Sequence, residues 1–111
     1  MNTYYVCSRY RGTNKQMLEH IEYAKELTRK ILLNGDSAIT PHLYITNCLD
    51  DSAPKERNLG LSSAIVLLQK CDAVIVGQRF GISEGMDAEI KEAEKHGIPV
   101  IYWDKADKGM L

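Results

Sequence analysis

The sequence carries almost no excess charge, because 14 basic residues stand against 15 acidic residues and leave a formal net charge of -1. We find no block of like charge, which disfavours a polymeric nucleic acid as a partner. No apolar run reaches the roughly 20 residues of a membrane-spanning helix, so we also expect no membrane partner. Residues 1–5 lack a basic segment followed by an apolar one, and the expected compartment is the cytoplasm.

Cysteine and histidine are also sparse, with three residues of each. The cysteines are odd in number and widely spaced, which is typical of reduced thiols rather than of disulfides or metal ligands. We expect Cys7 and Cys71 to be small buried residues. The histidines are scattered without carboxylates at matching spacing, so no metal and no cofactor are expected. His20 and His96 are predicted to lie at helix surfaces.

The sequence does contain a regular alternation of strand and helix patterns over 111 residues, of which 44% are apolar. This length suits one domain, residues 1–111, with one core. Strand patterns lie at residues 3–8, 37–40, 72–77 and 98–103. Helical patterns lie at residues 14–34, 55–70 and 84–96. Residues 42–49 are ambiguous between a loop and an irregular turn of helix, and residues 104–111 are predicted to be a polar tail.

The helical patterns also predict which side chains are buried. In the first helix the apolar stripe consists of Met17, Leu18, Ile21, Ala24, Leu27, Ile31 and Leu32. In the second helix it consists of Leu59, Ala64, Ile65, Leu67 and Leu68. Each stripe is the face that is expected to pack on the sheet.

Strands that alternate with helices of this length imply a parallel sheet with helices on both faces. Right-handed crossovers then bring every strand-to-helix loop to one edge, outside the carboxyl ends of the strands, where ligands bind in such folds. Three loops meet at that edge, at residues 9–14, 41–51 and 78–85. Asp72 begins the third strand at the opposite edge and is predicted to be a turn or capping residue.

Residues 74–90 have the pattern of a buried strand, a turn loosened by Gly81, and the start of a helix. Ser83 is a good N-cap, and the amides of Gly85 and Met86 are predicted to point out of the helix start, where they can hold an anion or a sugar oxygen. Glu89 shares a helix face with Gly85, so a carboxylate is placed beside this site. The alternatives are ordinary capping for Ser83 and a solvated helix position for Glu89.

The first loop combines two guanidinium groups with an aromatic ring, because Arg9 and Arg11 flank Tyr10. A guanidinium suits a phosphate, and a tyrosine can stack on a base or bond a sugar. Gly12 permits a close backbone approach. The alternative is a solvated loop.

The other two loops supply candidates with two interpretations each. His42 either contacts a base or a phosphate and serves as an acid, or is a structural histidine bonded to a backbone carbonyl. Asp50 and Asp51 either supply the acid or, more often in such pairs, form a solvated turn. Arg79 and Phe80 can form a lid over the ligand. The alternative for Phe80 is a contact with another subunit of an oligomer.

A family resemblance is carried by residues 5–12 (YVCSRYRG), 41–43 (PHL), 60–61 (GL), 71–72 (CD), 82–90 (ISEGMDAEI) and 97–100 (GIPV). These segments extend over nearly the whole chain. They resemble, in the same order, segments of small phage and bacterial proteins of unknown function. Those proteins are similar to the nucleoside 2-deoxyribosyltransferase-like superfamily.

The resemblance implies a flavodoxin- or Rossmann-like three-layer α/β sandwich, with a four-stranded or five-stranded parallel sheet in an order of about 2-1-3-4. It also implies a homo-oligomer, a dimer or larger. In this superfamily a glutamate in a Gly-x-x-x-Glu setting attacks the anomeric carbon of a nucleoside, and Gly85 and Glu89 match that setting. Glu89 is therefore the candidate catalytic residue. The candidate substrate-binding residues are Ser8, Arg9, Tyr10, Arg11, Gly12, His42, Gly81, Ser83, Gly85 and Met86.

The first functional hypothesis is an enzyme that transfers or hydrolyses the N-glycosidic bond of a nucleoside or nucleotide. The second is a non-catalytic protein that binds a nucleotide or a nucleotide-derived signal, as a phage protein that sequesters such a signal would. This second hypothesis rests on a difference from the superfamily. Many of its enzymes carry an acidic residue just after the third strand, where this chain has Gly77, Gln78 and Arg79. A third hypothesis is an oligomeric accessory protein without a small ligand.

Overall fold

The computed structural model describes residues 1–103. It contains one sheet of four parallel strands, which are β1 (Thr3–Cys7), β2 (Ser37–Ile39), β3 (Ala73–Gly77) and β4 (Val100–Trp103). The strand order is β2-β1-β3-β4. The predicted α/β class, parallel sheet and strand order are therefore confirmed. The predicted polar tail lies outside the described residues.

Four helices connect and flank the strands, and they are α1 (Asn14–Leu33), α2 (Ile45–Cys48), α3 (Pro54–Gln69) and α4 (Glu84–Lys95). A single 3-10 turn, Pro41–Leu43, precedes α2. The ambiguous segment thus consists of this turn and the four-residue α2. Among residues 1–103, no helix has both the length and the apolar character that crossing a membrane requires.

The two faces of the sheet are covered by different helices. Side chains alternate along β3, so that Val74 and Val76 join one cluster while Ile75 joins the other. The first cluster includes Leu68 of α3 and Ile90 of α4. The second is formed with α1. The result is a three-layer sandwich, with α1 on one face and α3 and α4 on the other.

Three apolar side chains that were predicted to be buried lie at the surface instead. Leu18 and Leu32 of α1 are 67% and 55% exposed, and Leu59 of α3 is 57% exposed. At 3.6 residues per turn, each lies at least about 80° around its helix from the buried small and aliphatic positions of that helix. Those positions are Ala24, Leu27 and Ile31 in α1, and Gly60, Ala64 and Leu68 in α3.

Asp72, Cys7 and Cys71 have the structural roles predicted for them, whereas Gly77 has a packing role that was not predicted. The Asp72 carboxylate accepts a hydrogen bond of 2.7 Å from the Thr3 amide. Cys7 and Cys71 are buried free thiols. At Gly77, a Cβ atom would lie 2.6 Å from Cδ1 of Leu27. Glycine at this position therefore lets α1 approach the sheet closely.

Candidate functional site

A cavity of about 730 Å³ opens at the carboxyl edge of the sheet, between the loops that follow β1, β2 and β3. Helices α3 and α4 complete its walls. The predicted convergence of the three loops is therefore confirmed. Of the candidate site residues, those that line the cavity are Ser8, Arg9, Tyr10, Arg11, His42, Ser83, Gly85, Met86 and Glu89. Gly12 and Gly81 are not among the lining residues.

Glu89 is half-buried in the cavity wall, one helical turn after Gly85. Its Oε2 accepts a hydrogen bond from the hydroxyl of Tyr5, and its Oε1 lies 3.4 Å from the thiol of Cys7. Burial raises the pKa of the Glu89 carboxyl, and the two donors oppose that rise without cancelling it. The carboxylate is thus poorly solvated and held in place by neutral groups.

Tyr5 and Cys7 reach Glu89 because alternate residues of β1 point to the same face of the sheet. Burial raises the pKa of both groups, and the charge on Glu89 raises it further. Both groups therefore stay protonated and act as donors to the carboxylate. Sequence reasoning did not select these two residues for the site. The signal that identifies them is that they are two residues apart on β1, the strand that pairs with β3.

The start of α4 is capped as expected. The Ser83 hydroxyl accepts a hydrogen bond of 3.2 Å from the Met86 amide. The prediction that the Met86 amide is free for an anion is therefore wrong, because this N–H is already used by the cap. The amides of Glu84 and Gly85 have no acceptor among residues 1–103. Both residues line the cavity, so these are the donors that a ligand can use.

Arg9 fixes the shape of the loop after β3. Its Nη1 donates a hydrogen bond of 3.0 Å to the carbonyl oxygen of Phe80. The next residue, Gly81, has a φ of 85°, which is in the left-handed region that favours glycine. Gly81 thus shapes the loop rather than lining the cavity. Arg9 both supports this loop and contributes to the cavity wall.

Tyr10 and His42 form a stacked pair, with ring centroids 4.9 Å apart and an angle of 21° between the ring planes. The Nε2 atom of His42 lies 3.0 Å from the carbonyl oxygen of Ser8. Since a carbonyl only accepts, Nε2 carries the proton and donates it. Burial lowers the pKa of His42, so the ring is neutral at pH 7. These contacts match the structural interpretation of His42 better than a catalytic acid.

The two aspartates of the second loop are used differently. Asp51 lines the cavity and forms an ion pair with Arg11. Asp50 shapes the turn, since its Oδ1 accepts from the amide and the hydroxyl of Ser52 at 3.0 and 2.6 Å. Only Asp51 is therefore placed at the cavity.

Arg79 and Phe80 do not form a lid, which corrects the prediction made for them. Phe80 packs against His20 and Tyr23, with ring centroids 4.9 and 5.5 Å away. Arg79 lies over the Tyr23 ring and forms an ion pair of 2.6 Å with Glu26. Both side chains are thus drawn onto α1. His20 is buried by these contacts and not at the surface as predicted.

The apolar wall of the cavity comes from α2 and α3 and was missed from the sequence. Ile45 and Leu49, on and just after α2, lie close to Gly60 of α3. A Cβ atom at Gly60 would be only 3.3 Å from a methyl group of each. Leu61 and Ala64 of α3 continue the wall. The segment was ambiguous because α2 is too short to show a helical repeat.

Within the described residues, one buried side-chain oxygen at the cavity also has no partner. Ser8 is 1% exposed, and among residues 1–103 nothing accepts from its hydroxyl or donates to it. Buried hydroxyl groups are nearly always hydrogen-bonded, so an unpaired one at a cavity suggests a ligand contact. The described part of the chain contains no group of three or more metal-ligating side chains.

The sheet order, the flanking helices and the cavity at the carboxyl edge define an α/β fold of the 2-deoxyribosyltransferase kind. A solved structure of a 2-deoxyribosyltransferase from the psychrotolerant bacterium Bacillus psychrosaccharolyticus has this fold, with a TM-score of 0.69 and 14% sequence identity. The similarity covers 98% of this chain and 76% of that enzyme. The chain belongs to the family described as "Domain of unknown function (DUF7768)", whose model matches residues 2–103. No curated protein matches the sequence.

Proposed function

We propose that the protein breaks or transfers the N-glycosidic bond of a nucleoside or nucleotide, with Glu89 as the nucleophile. The observation that carries this proposal is the poorly solvated Glu89 carboxylate at the cavity, held by the Tyr5 hydroxyl and the Cys7 thiol. A nucleophilic carboxylate must be fixed in position and weakly hydrated, and this one is both. The 2-deoxyribosyltransferase fold gives independent support.

The reaction has two steps. In the first, a Glu89 carboxylate oxygen forms a bond to the anomeric carbon, and the base leaves with the electron pair of the C–N bond and takes up a proton from water. A glycosyl ester on Glu89 remains. In the second step, a nitrogen of another base or a water molecule attacks the same carbon and gives up its proton to solvent, and the ester bond breaks to release the Glu89 carboxylate. Tyr5 keeps the carboxylate aimed throughout.

Other groups of the cavity suit the remaining parts of such a ligand. The unpaired Ser8 hydroxyl and the free amides of Glu84 and Gly85 suit a sugar hydroxyl or a 5′-phosphate. Arg9 adds positive charge to the cavity wall. Tyr10 presents an aromatic ring to a base.

The test is chromatography of purified protein incubated with a panel of ribo- and deoxyribonucleosides and their 5′-monophosphates, with and without an acceptor base. We expect released or exchanged base from at least one member of the panel. Glu89→Gln is expected to lower this rate by more than about 10³-fold, as loss of a nucleophile does. Glu94→Gln is the matched control, because Glu94 is exposed on the same helix and outside the cavity.

A second candidate function is binding or sequestration of a nucleotide or a nucleotide-derived signal without cleavage. It is favoured because, among residues 1–103, three candidate acids for the leaving base are engaged in other contacts. Asp51 is paired with Arg11, Glu56 accepts a hydrogen bond of 2.9 Å from the Asp50 amide, and His42 is neutral. Recovery of intact ligand from a denatured, saturated complex is the result expected for this function, and recovery of free base is the result that excludes it.

We also propose that the protein is a cytoplasmic homo-oligomer. Exposed apolar side chains lie on both faces of the sandwich, Leu18 and Leu32 on α1 and Leu59 and Val66 on α3, and they support contacts with further copies. The free thiols fit a reducing compartment. Light scattering during size-exclusion chromatography tests the oligomer, and a monomer mass at micromolar concentration is the contrary result.

A further inference from the structure

A second cavity, of about 840 Å³, lies beside the Glu89 cavity and is not used by the function proposed above. The two cavities share part of their walls. The shared residues are Tyr10, Arg11, Asp51, Arg57 and Leu61. A ligand longer than one nucleotide can therefore extend from one cavity into the other.

The junction of the two cavities carries a free positive charge. Arg11 is paired with Asp51, and these two charges balance each other. Arg57 is exposed and has no ion pair within residues 1–103. A guanidinium without a carboxylate partner is well suited to phosphate oxygens. The junction is thus the place where a phosphate linkage fits best.

The second cavity has the surface that a flat heterocycle needs. Leu61 is 54% exposed, and with Met17 it gives the cavity an apolar surface. The amide of Asn58 can donate to and accept from the edge of a base. The Glu89 cavity already has the size of a complete small-molecule site, which is roughly 300–1,000 Å³. A mononucleotide bound there would leave the second cavity empty.

We propose that the ligand is a dinucleotide whose two nucleosides are joined by a pyrophosphate. One nucleoside occupies the Glu89 cavity, the pyrophosphate lies at Arg57, and the second nucleoside occupies the cavity lined by Met17, Asn58 and Leu61. This inference rests on the proposed function, because it assumes that the Glu89 cavity takes a nucleoside. It adds the substrate class and a second subsite.

The experiment measures affinity by titration calorimetry in the Glu89→Gln background, so that turnover does not consume the ligand. The probes are the four common ribonucleoside 5′-monophosphates and the corresponding symmetrical dinucleoside 5′,5′-diphosphates. We expect at least one diphosphate to bind about tenfold or more tightly than its monophosphate. Adding Asn58→Trp, which fills the second cavity, is expected to reduce this ratio to near one.

Two further variants test whether the affinity ratio depends on the positive charge at the junction or on any positive charge of this helix. Arg57→Ala is expected to reduce the ratio several-fold. Lys55→Ala is the matched control, because it removes one positive charge from the same helix turn but lines neither cavity. It is expected to keep the ratio of the parent protein.

The inference is overturned if no diphosphate binds more tightly than its monophosphate, or if the ratio survives Asn58→Trp. This outcome is distinct from failure of the proposed function. Base release from mononucleotides without a diphosphate preference contradicts the second subsite alone. A diphosphate preference that depends on Asn58, without base release from any nucleotide or dinucleotide, contradicts the catalytic role of Glu89 alone.

Discussion

Two glutamates on opposite faces of the sheet are held in opposite ways. On the α1 face, Glu26 pairs with Arg79, and this partner lowers the pKa of its carboxyl. On the other face, the hydrogen-bond donors to Glu89 within residues 1–103 are neutral, and burial raises the pKa of its carboxyl. The ion pair with Arg79 stabilises the negative charge of Glu26. The contacts of Glu89 leave its negative charge weakly stabilised, which lowers the stability of the fold and leaves the carboxylate reactive.

The contrast extends to the residues around each glutamate. On the α1 face, aromatic and charged side chains pack against one another, as the Phe80 contacts with His20 and Tyr23 show. The Glu89 face leaves a cavity, an unpaired hydroxyl at Ser8 and free helix amides. Polar groups without partners are costly, and those on the Glu89 face line a cavity where a ligand can satisfy them.

Among variants that keep Glu89, the largest effect is expected for Tyr5→Phe, which removes one of the donors that hold the Glu89 carboxylate. We expect base release to fall by about 10–100-fold, mainly in kcat, because a misaligned nucleophile loses part of its orientation advantage. The acidic limb of the pH–rate profile should move to higher pH, since the Tyr5 hydrogen bond lowers the pKa of Glu89. Tyr4→Phe, in the same strand, is the control and should keep the wild-type profile.

Gly77→Ala tests whether the α1 face is fixed by packing. The new Cβ would lie 2.6 Å from Leu27 and 2.7 Å from the Tyr23 hydroxyl. We expect a loss of about 1–3 kcal/mol in the free energy of unfolding, measured in urea. Gly85→Ala is the comparison on the cavity side, where the nearest atom is 3.9 Å away. An equal loss of stability in the two variants would contradict this account of the α1 face.

Glu89→Gln is expected to stabilise the fold at pH 7 while it abolishes base release. The pKa of Glu89 is higher in the folded protein than in the unfolded chain, so ionisation above the unfolded pKa lowers stability. The gain in Tm of the variant should therefore grow as the pH rises through the folded pKa and vanish below the unfolded pKa. Thermal melts from pH 4 to pH 8 measure it, and a lower Tm at pH 7 would be the contrary finding.

Glu26→Gln should have the smallest effect, with the opposite sign. The folded pKa of Glu26 is lowered by Arg79, so this pair stabilises the fold above the unfolded pKa and loses its effect as the pH falls through the folded pKa. Because the Glu26 side chain is 43% exposed, solvent screens the pair and the loss at pH 7 should be at most about 1 kcal/mol. The same series of melts gives the comparison with Glu89→Gln.

The layers and the position of the site could be predicted from the sequence because they depend on repeats along the chain. Strand and helix periods predicted the parallel sheet, and parallel topology brought the loops after β1, β2 and β3 to one edge. Ser83 and the helix it caps followed from local hydrogen-bonding preferences. The placement of Glu89 near the mouth of that helix needed only the spacing from Gly85.

Contacts between distant segments could not be predicted in this way. Whether the ring of Phe80 turns towards the cavity or towards α1 depends on where His20 and Tyr23 lie, and those positions are 60 and 57 residues earlier in the chain. The pairing of Tyr5 with Glu89 spans 84 residues. Such contacts follow from strand order and helix rotation together, and a small rotation of a helix changes them.

The most direct test of the central claim is mass spectrometry of the protein after it is quenched with acid during incubation with a reactive nucleoside or nucleotide. The account predicts a covalent adduct with the mass of the sugar portion, located on the peptide that contains Glu89 and missing in Glu89→Gln. Release of base without any adduct on Glu89, or an adduct that persists in Glu89→Gln, would contradict the claim that this carboxylate is the nucleophile.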